Sequence, residues 1–284
     1  MAEARTGTRN RRTPRTKLAR VSRVERLTPH MTRVVLGGDG LAEFTAGEFT
    51  DHYVKLLFPP EGVTYPEPFD MQRIRTELPR EQWPRMRTYT VRRWDADTRE
   101  LTVDVVHHGD EGIAGPWAAG VGPGDEIRFM GPGGAYAPSP DADWHLLAGD
   151  ESALPAIAAT LENLPTGARA YAFIEVRGPE EEQKLESSGD ATINWLHRGG
   201  APVGTALVRA VTDLDFPPGT VQAFVHGEAA FVKELRRLLL VERGIPRDQV
   251  SISGYWRTGH DEDRWQATKQ DWNREVEAEQ DQPS

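Results

Sequence analysis

The chain is expected to fold as an all-β N-terminal domain, an antiparallel barrel or sandwich, followed by an α/β domain on a parallel sheet. Three observations point there. The 284 residues exceed the ~100–200 of an ordinary domain, which suits two domains. From Leu18 to about Gly131, short alternating runs recur with turn residues between them, as in antiparallel strands. From Trp144 onward, strand-sized apolar runs alternate with helical periodicity, as in a parallel sheet flanked by helices.

In the first half, Leu18–Leu27 alternates polar and apolar residues, a Thr-Pro-His turn follows, and Thr32–Leu36 continues as a second strand. His52–Phe58, Arg87–Trp94, Leu101–His107 and Glu126–Met130 are further strand-like runs. Residues 59–84 are rich in proline and read as a long insertion, with a helical stretch from Met71 to Leu78. Gly131–Asp143, with its prolines and glycines, is the expected joint. In the second half, Trp144–Ala148 is a buried strand, and Ser152–Leu164 a helix with Leu154, Ile157, Ala158 and Leu161 on one face. Ala170–Val176, Thr192–Leu196 and Val221–His226 are strands, Glu228 to about Arg243 is a helix, and Gln249–Ser253 is the last strand. A polar helical tail runs from His260 to about Glu279, and Trp265 and Trp272, seven residues apart, share one face that docks on something. The expected division is therefore a basic arm (1–16), a β domain (17–137), an α/β domain (138–259) and a helical tail (260–284).

Composition removes several classes of function. With no cysteine, the chain has no disulfides, thiolate zinc, cysteine-ligated iron–sulfur cluster or cysteine nucleophile. If electrons pass through it, an organic cofactor or an imidazole- or carboxylate-bound metal must carry them. No apolar run approaches the ~18 residues of a membrane span, and no secretory leader opens the sequence, so a cytoplasmic protein without membrane insertion is expected. A net charge of −10 argues against nucleic acid as a partner. Arg5, Arg9, Arg11, Arg12, Arg15, Lys17 and Arg20 crowd the N-terminus, but without apolar spacing they read as a solvated arm. Any anion site must then be a local basic pocket.

The most informative segment is Arg87-Thr88-Tyr89-Thr90-Val91-Arg92. An arginine offers a fork of donors to phosphate, a tyrosine a rigid ring, and a threonine a hydroxyl for a ring nitrogen. Together they supply what a flavin and its diphosphate need, although a plain β-strand has the same alternation. About 20 residues on, His108-Gly109-Asp110-Glu111-Gly112-Ile113-Ala114-Gly115-Pro116-Trp117-Ala118 opens a short helix with small residues that let a diphosphate approach the backbone. Alone, that segment also reads as a Gly-rich turn. His52, His107 and His108 are rival metal ligands, but adjacent strand residues face opposite sides and do not share one ion, so no protein-bound metal is expected. In Gly149-Asp150-Glu151-Ser152, two carboxylates occupy the turn after the first strand of the second domain. They suit the positive end of the following helix and would repel a dinucleotide's diphosphate.

On these segments the chain resembles the siderophore-interacting proteins, a branch of the ferredoxin–NADP reductase superfamily. The matching stretches also include His52-Tyr53-Val54-Lys55-Leu56-Leu57-Phe58-Pro59, Ala148 to Ile157, His226-Gly227-Glu228 and Gly254-Tyr255-Trp256-Arg257-Thr258-Gly259, in family order over most of residues 17–260. The resemblance implies an N-terminal antiparallel FAD-binding β-barrel, a C-terminal parallel-sheet α/β domain like those that bind NAD(P)H, and reduction of iron(III) in ferric siderophores. It implies that Arg87 binds the FAD diphosphate, Tyr89 stacks on the isoalloxazine and Thr90 meets its polar edge. Val106, His108, Gly112, Ala114, Gly115 and Trp117 are implied to line the rest of the cofactor site. Lys55 and Arg257 match basic positions placed around an anionic siderophore. Relatives often carry Gly-Pro-Arg-Gly where this chain has Gly131-Pro132-Gly133-Gly134, so Arg128 is the substitute expected for a third basic contact. NADH, NADPH and reduced ferredoxin all remain open as electron donor, and the chemistry sits in the flavin rather than in a catalytic side chain.

Overall fold

In the computed structural model, residues 16–107 and 112–280 are described. The first half is one seven-stranded antiparallel sheet made of β1 (Lys17–Thr28), β2 (Met31–Gly37), β3 (Tyr53–Phe58), β4 (Arg85–Thr90), β5 (Arg93–Asp95), β6 (Glu100–Val106) and β7 (Glu126–Gly133). Their spatial order is β4-β3-β7-β1-β2-β6-β5. The edge strands β4 and β5 are successive pieces of one extended run. Val91 donates its N–H to His52 O (2.6 Å) on one side, and Arg92 donates to Thr102 O (2.9 Å) on the other. Two residues thus pass the chain from one edge to the other, and the sheet closes as a barrel. The single strand expected over Arg87–Trp94 is broken there because it serves both edges.

Strand alternation sorts this barrel's side chains. Val34, Leu36, Val54, Leu56, Leu101, Val103, Val105 and Phe129 fill the interior. With a period of two, Tyr53 and Lys55 on β3, and Asp104 and Val106 on β6, take the opposite face. The insertion holds helix α1 (Met71–Glu77), whose Met71 and Ile74 pack on Leu57. Helix α2 (Ala114–Gly120) follows β6.

The second half is a five-stranded parallel sheet: β8 (Trp144–Gly149), β9 (Arg169–Val176), β10 (Asp190–His197), β11 (Val221–Glu228) and β12 (Val250–Trp256), in the order β10-β9-β8-β11-β12. Helix α3 (Leu154–Glu162) covers one face through Leu154, Ile157 and Leu161. Helices α4 (Thr205–Thr212) and α5 (Ala229–Arg236) cover the other through Leu207, Val211, Phe231 and Leu235. The strand order reverses beside β8, so the carboxyl ends of β8 and β11 bound the crevice where ligands of such sheets sit. The last turn of the expected 228–243 helix is π-helical, over Arg237–Glu242.

Helix α4 has no counterpart in the sequence expectation. Its cap explains why. Buried Glu175 on β9 accepts the N–H groups of Gly204 (2.7 Å) and Leu207 (3.2 Å), so the helix start is held by a residue 29 positions earlier.

The tail forms α6 (Glu262–Gln280), which docks as the two tryptophans imply. Trp265 is fully buried, its ring 5.4 Å from that of Trp272, and Val276 is buried on the same side. Gly254 makes the seat possible, since a Cβ there would stand 3.0 Å from the Trp265 ring and 3.3 Å from Ala229. Lys233 meets Glu279 (2.5 Å) and Arg236 meets Glu277 (3.8 Å) at the far end of the helix. None of the helices among the described residues is long and apolar enough to cross a membrane.

Candidate functional site

One cavity of about 1180 Å³ opens where the barrel, the carboxyl end of the parallel sheet and α6 meet. From the barrel, Lys55, Arg87, Tyr89, Thr90 and Val106 line it. Gly112, Ala114 and Gly115, at the start of α2, close that side. The two motifs far apart in composition but near in sequence therefore share one space. From the α/β domain come His226 on β11, Ser251, Ser253, Tyr255 and Trp256 on β12, and Arg257 just after that strand. Helix α6 adds Glu262, Gln266 and Lys269, spaced i, i+4, i+7 on one helical face.

Several expected site residues lie elsewhere. Arg128 does not line the cavity: it pairs with Glu67 (2.8 Å) and lies 4.6 Å over the Phe69 ring, held by the insertion. Its strand neighbours explain this, because β7 lies between β3 and β1 and Arg128 stands opposite Leu57, beside that insertion. Trp117 also stays out. Its ring packs edge-on against Phe58 at 5.5 Å, on the outer layer of the barrel core. His108 falls outside the described residues. His52 is held by its own fold, accepting Gly47 N–H at Nε2 (2.8 Å) with Nδ1 3.1 Å from Gly133 O, and His107 Nε2 lies 2.7 Å from Thr32 Oγ1.

The lining has the chemistry an FAD needs. A half-buried tyrosine ring, an adjacent threonine hydroxyl, a guanidinium and a small-residue turn converge on a space that admits a dinucleotide. Desolvation pushes the Tyr89 phenol up from its ordinary value, with the Glu262 charge adding to the rise and Arg87 opposing it. Gly112 holds φ +82° with nothing within 4 Å of a Cβ position, leaving the backbone open to close approach. Ala114 and Gly115 open α2 without any side-chain cap.

Arg87 departs from expectation in one respect. Its Nη1 and Nη2 donate to Asp263 at 3.2 Å each, Nη1 also to Met86 O (2.8 Å), and Nε lies 3.4 Å from Glu262. Glu262 also accepts the Thr88 N–H at 3.2 Å. Burial raises the Glu262 carboxyl to about 7, and Asp263 adds to the rise, against the pull of Arg87, the Thr88 N–H and Lys55. Neither acidic residue is signalled by the motifs, since both lie more than 170 positions from β4.

At the sheet crevice, Asp150 is fully buried and takes four donors. Ser152 N–H (2.9 Å) and Oγ–H (2.5 Å) reach Oδ1, and Glu228 N–H (2.9 Å) and Trp256 Nε1–H (2.8 Å) reach Oδ2. Burial, with Glu151 adding, lifts its carboxyl to about 6 despite those bonds. Glu151 pairs with Arg198 at 2.7 Å. The seat that a phosphate takes at the start of α3 is thus filled by the chain's own carboxylate. Gly227, at φ +141°, lets this happen, because a Cβ there would meet Phe231 at 2.5 Å and Asp150 at 2.8 Å.

Known proteins place this arrangement. Residues 20–136 match the siderophore-interacting FAD-binding domain and residues 142–259 the siderophore-interacting protein family. An uncharacterized protein of Mycobacterium tuberculosis is 48% identical over 86% of this chain and 91% of its own length. Ferric vibriobactin reductase ViuB of Vibrio cholerae is 33% identical, covering 84% of this chain and 88% of its own. The NADPH-dependent ferric-chelate reductase of Escherichia coli is 32% identical, over 83% and 91% respectively. The crystal structure of a siderophore utilization protein from T. fusca superposes with a TM-score of 0.75 at 41% identity, covering 87% of this chain and 94% of that one. With this continuous similarity across both halves, the chain belongs to the siderophore-interacting protein family and carries its FAD-binding domain in the N-terminal barrel.

Proposed function

We propose that this protein is an FAD-dependent reductase of ferric siderophores that frees iron as Fe(II) in the cytoplasm, as a step of iron uptake. The observation that carries the reading is the one cavity that Tyr89, Thr90 and the Gly112–Gly115 turn line together with Lys55 and Arg257. The reductase names of the Vibrio and Escherichia relatives support it.

An FAD held here would supply the capacity to take up two electrons together and release them one at a time. The chain's part is position and charge. Tyr89 offers its ring as a platform, the Thr90 hydroxyl orients the polar edge, and Arg87 with the turn at Ala114 and Gly115 receives the diphosphate. Lys55 and Arg257 hold an anionic chelate against the open side of the cavity. Iron(III) is a hard ion held tightly by oxygen donors, and iron(II) is held less strongly, so one electron loosens the complex without cutting the ligand. One dinucleotide donor reduces two ferric ions.

The name of the Escherichia relative favours NADPH as donor. With Asp150 in the phosphate seat of α3, its diphosphate must bind elsewhere along the crevice, and reduced ferredoxin is the alternative that does not need that seat. Anaerobic titration of the purified flavoprotein with NADH, NADPH and ferredoxin in turn, followed by ferric chelates, tests donor and acceptor together. Bleaching of the flavin by NADPH and its return on adding a ferric chelate is expected. A colourless protein that FAD does not reconstitute would leave a siderophore-binding protein instead. Equal loss with anionic chelates and a neutral acceptor in a Lys55→Gln/Arg257→Gln double variant would point to a general flavin reductase.

A further inference from the structure

The lining of the cavity holds as many carboxylates as cations, so the sign of its charge does not by itself choose among iron complexes. An aromatic ring, however, stands open to it. Among the described residues the exposed large hydrophobic side chains are Phe49, Tyr53 and Val241, and the first two pack on the turn at Gly133 and Gly134. Tyr53 on β3 is paired with Gly133 on β7, and its ring lies over the glycine. A Cβ at 133 would stand 2.4 Å from the ring's Cζ and 2.5 Å from its hydroxyl oxygen. Successive residues of an extended chain point to opposite faces, so His52 and Tyr53 grip this turn from two sides. His52 Nδ1 lies 3.1 Å from Gly133 O, and the Phe49 ring backs the His52 ring at 5.5 Å. Tyr53 lines the cavity beside Lys55, two residues further on the same face of β3. Tyr255 of β12 lines the same space, and burial foremost, then Asp51, Asp150 and Tyr53, pushes its phenol up, so the two tyrosines lie within electrostatic reach.

We propose that Tyr53, seated on Gly133, is the residue by which this protein prefers iron complexes that carry aryl rings over equally charged complexes that carry none. The inference rests on the reductase reading above and deepens it, naming a substrate class and the side chain that selects it. In a tris-catecholate the oxygens turn inward to the metal and the rings turn outward, where a flat side chain meets them by offset stacking or edge-to-face contact. Charge draws ringed and ringless anionic complexes alike toward Lys55, and only the ring contact tells them apart. Gly133 makes the ring available, because a side chain at 133 would take the place of the ring and push it off the wall. A ring laid over a glycine also covers bare backbone and so steadies a sheet, but that role alone leaves no trace in ligand choice. Tyr53 is seated on its glycine side and keeps 37% of its surface open, on the wall of the cavity.

The test uses the flavin-loaded full chain and two substitution-inert chromium(III) complexes of equal charge, the tris-catecholate with rings and the tris-oxalate without. Binding is measured by fluorescence quenching. The wild-type protein is expected to bind the tris-catecholate about fivefold to tenfold more tightly. Tyr53→Ser should remove most of that preference by weakening the tris-catecholate alone, with the Kd of the tris-oxalate held within about twofold. Tyr53→Phe should keep the preference. Gly133→Ala retains Tyr53 but denies the ring its seat, so it should lose the preference to a similar degree, and combining it with Tyr53→Ser should cost nothing further. Flavin content and Tm report whether each variant is folded. Equal Kd values for the two complexes in the wild type, an equal loss with both in Tyr53→Ser, no recovery in Tyr53→Phe, or an unaltered preference in Gly133→Ala overturns the inference. The reductase reading fails separately: the ring preference would then be present, but a ferric tris-catecholate would not reoxidise the dithionite-reduced protein. A wild-type protein that binds neither complex overturns both.

Discussion

The guanidinium of Arg87 already has carboxylate partners on α6, so a flavin diphosphate must displace them. Asp263 is 55% exposed, so water can take over its carboxylate when the pair opens, although Arg87 itself is buried and needs the diphosphate as its new partner. Glu262 is the stiffer partner. Its carboxyl, raised to about 7 from an ordinary value of 4.5, favours the neutral form in the folded protein. Its contribution to stability is therefore present below 4.5 and lost as pH rises through 7. The same proton removes the negative charge that faces Arg87 together with Asp263, a charge that the nearby cations Lys55 and Lys269 otherwise favour. FAD affinity should thus rise as pH falls from 8 to 6, and Glu262→Gln should flatten that profile; an unchanged slope in the variant would remove Glu262 from the cofactor site. Replacing Tyr89 with Ser should weaken FAD by about fivefold to tenfold, the worth of one ring contact, and shift the flavin absorption bands. An unchanged spectrum would contradict its stacking role.

Among the elements, the strands are the most legible from sequence, because half-buried strands must alternate and they do, from Leu18 through Val105. Helix α4 is invisible for a physical reason: its start is capped by Glu175 from β9, and a cap borrowed from a distant strand leaves no local signature. The docking of α6 is legible in Trp265 and Trp272. Its cavity face is not, because Glu262, Gln266 and Lys269 look like any solvated helical stripe until the barrel is placed opposite. Trp265→Ala should cost roughly 3–5 kcal/mol by emptying a fully buried site and should release α6, lowering Tm. A Tm within a degree of the wild type would mean that α6 is not docked in solution. At the crevice, Asp150→Ala leaves the N–H groups of Trp256, Glu228 and Ser152 without their acceptor. It should destabilise by roughly 2–4 kcal/mol in urea denaturation, and an effect below 1 kcal/mol would contradict the carboxylate's role as a structural tie.

At the scale of the whole molecule, two folds that each bury their own core leave one shared space, and the residues facing it come from the barrel, the parallel sheet and the tail. The motif residues on β3, β4, the α2 turn and β12 are legible because each places its chemistry within a few consecutive positions. Arg128 is misjudged from sequence because proximity along β7 says nothing of which flank the strand presents, and Glu67 of the insertion claims it. The long-range pairing of Arg87 with Glu262 and Asp263 is likewise beyond any local pattern. Function then follows from charge and position: an aromatic and hydroxyl platform on β4, with Lys55 beside it on β3 and Arg257 brought to the same cavity by the second domain. The anomalous signal of gallium in crystals of the FAD-loaded protein with a gallium(III) siderophore tests this directly. The metal should lie in the cavity between Lys55 and Arg257, with the flavin ring against Tyr89. A gallium peak outside that cavity, or a flavin bound away from Tyr89, would contradict it.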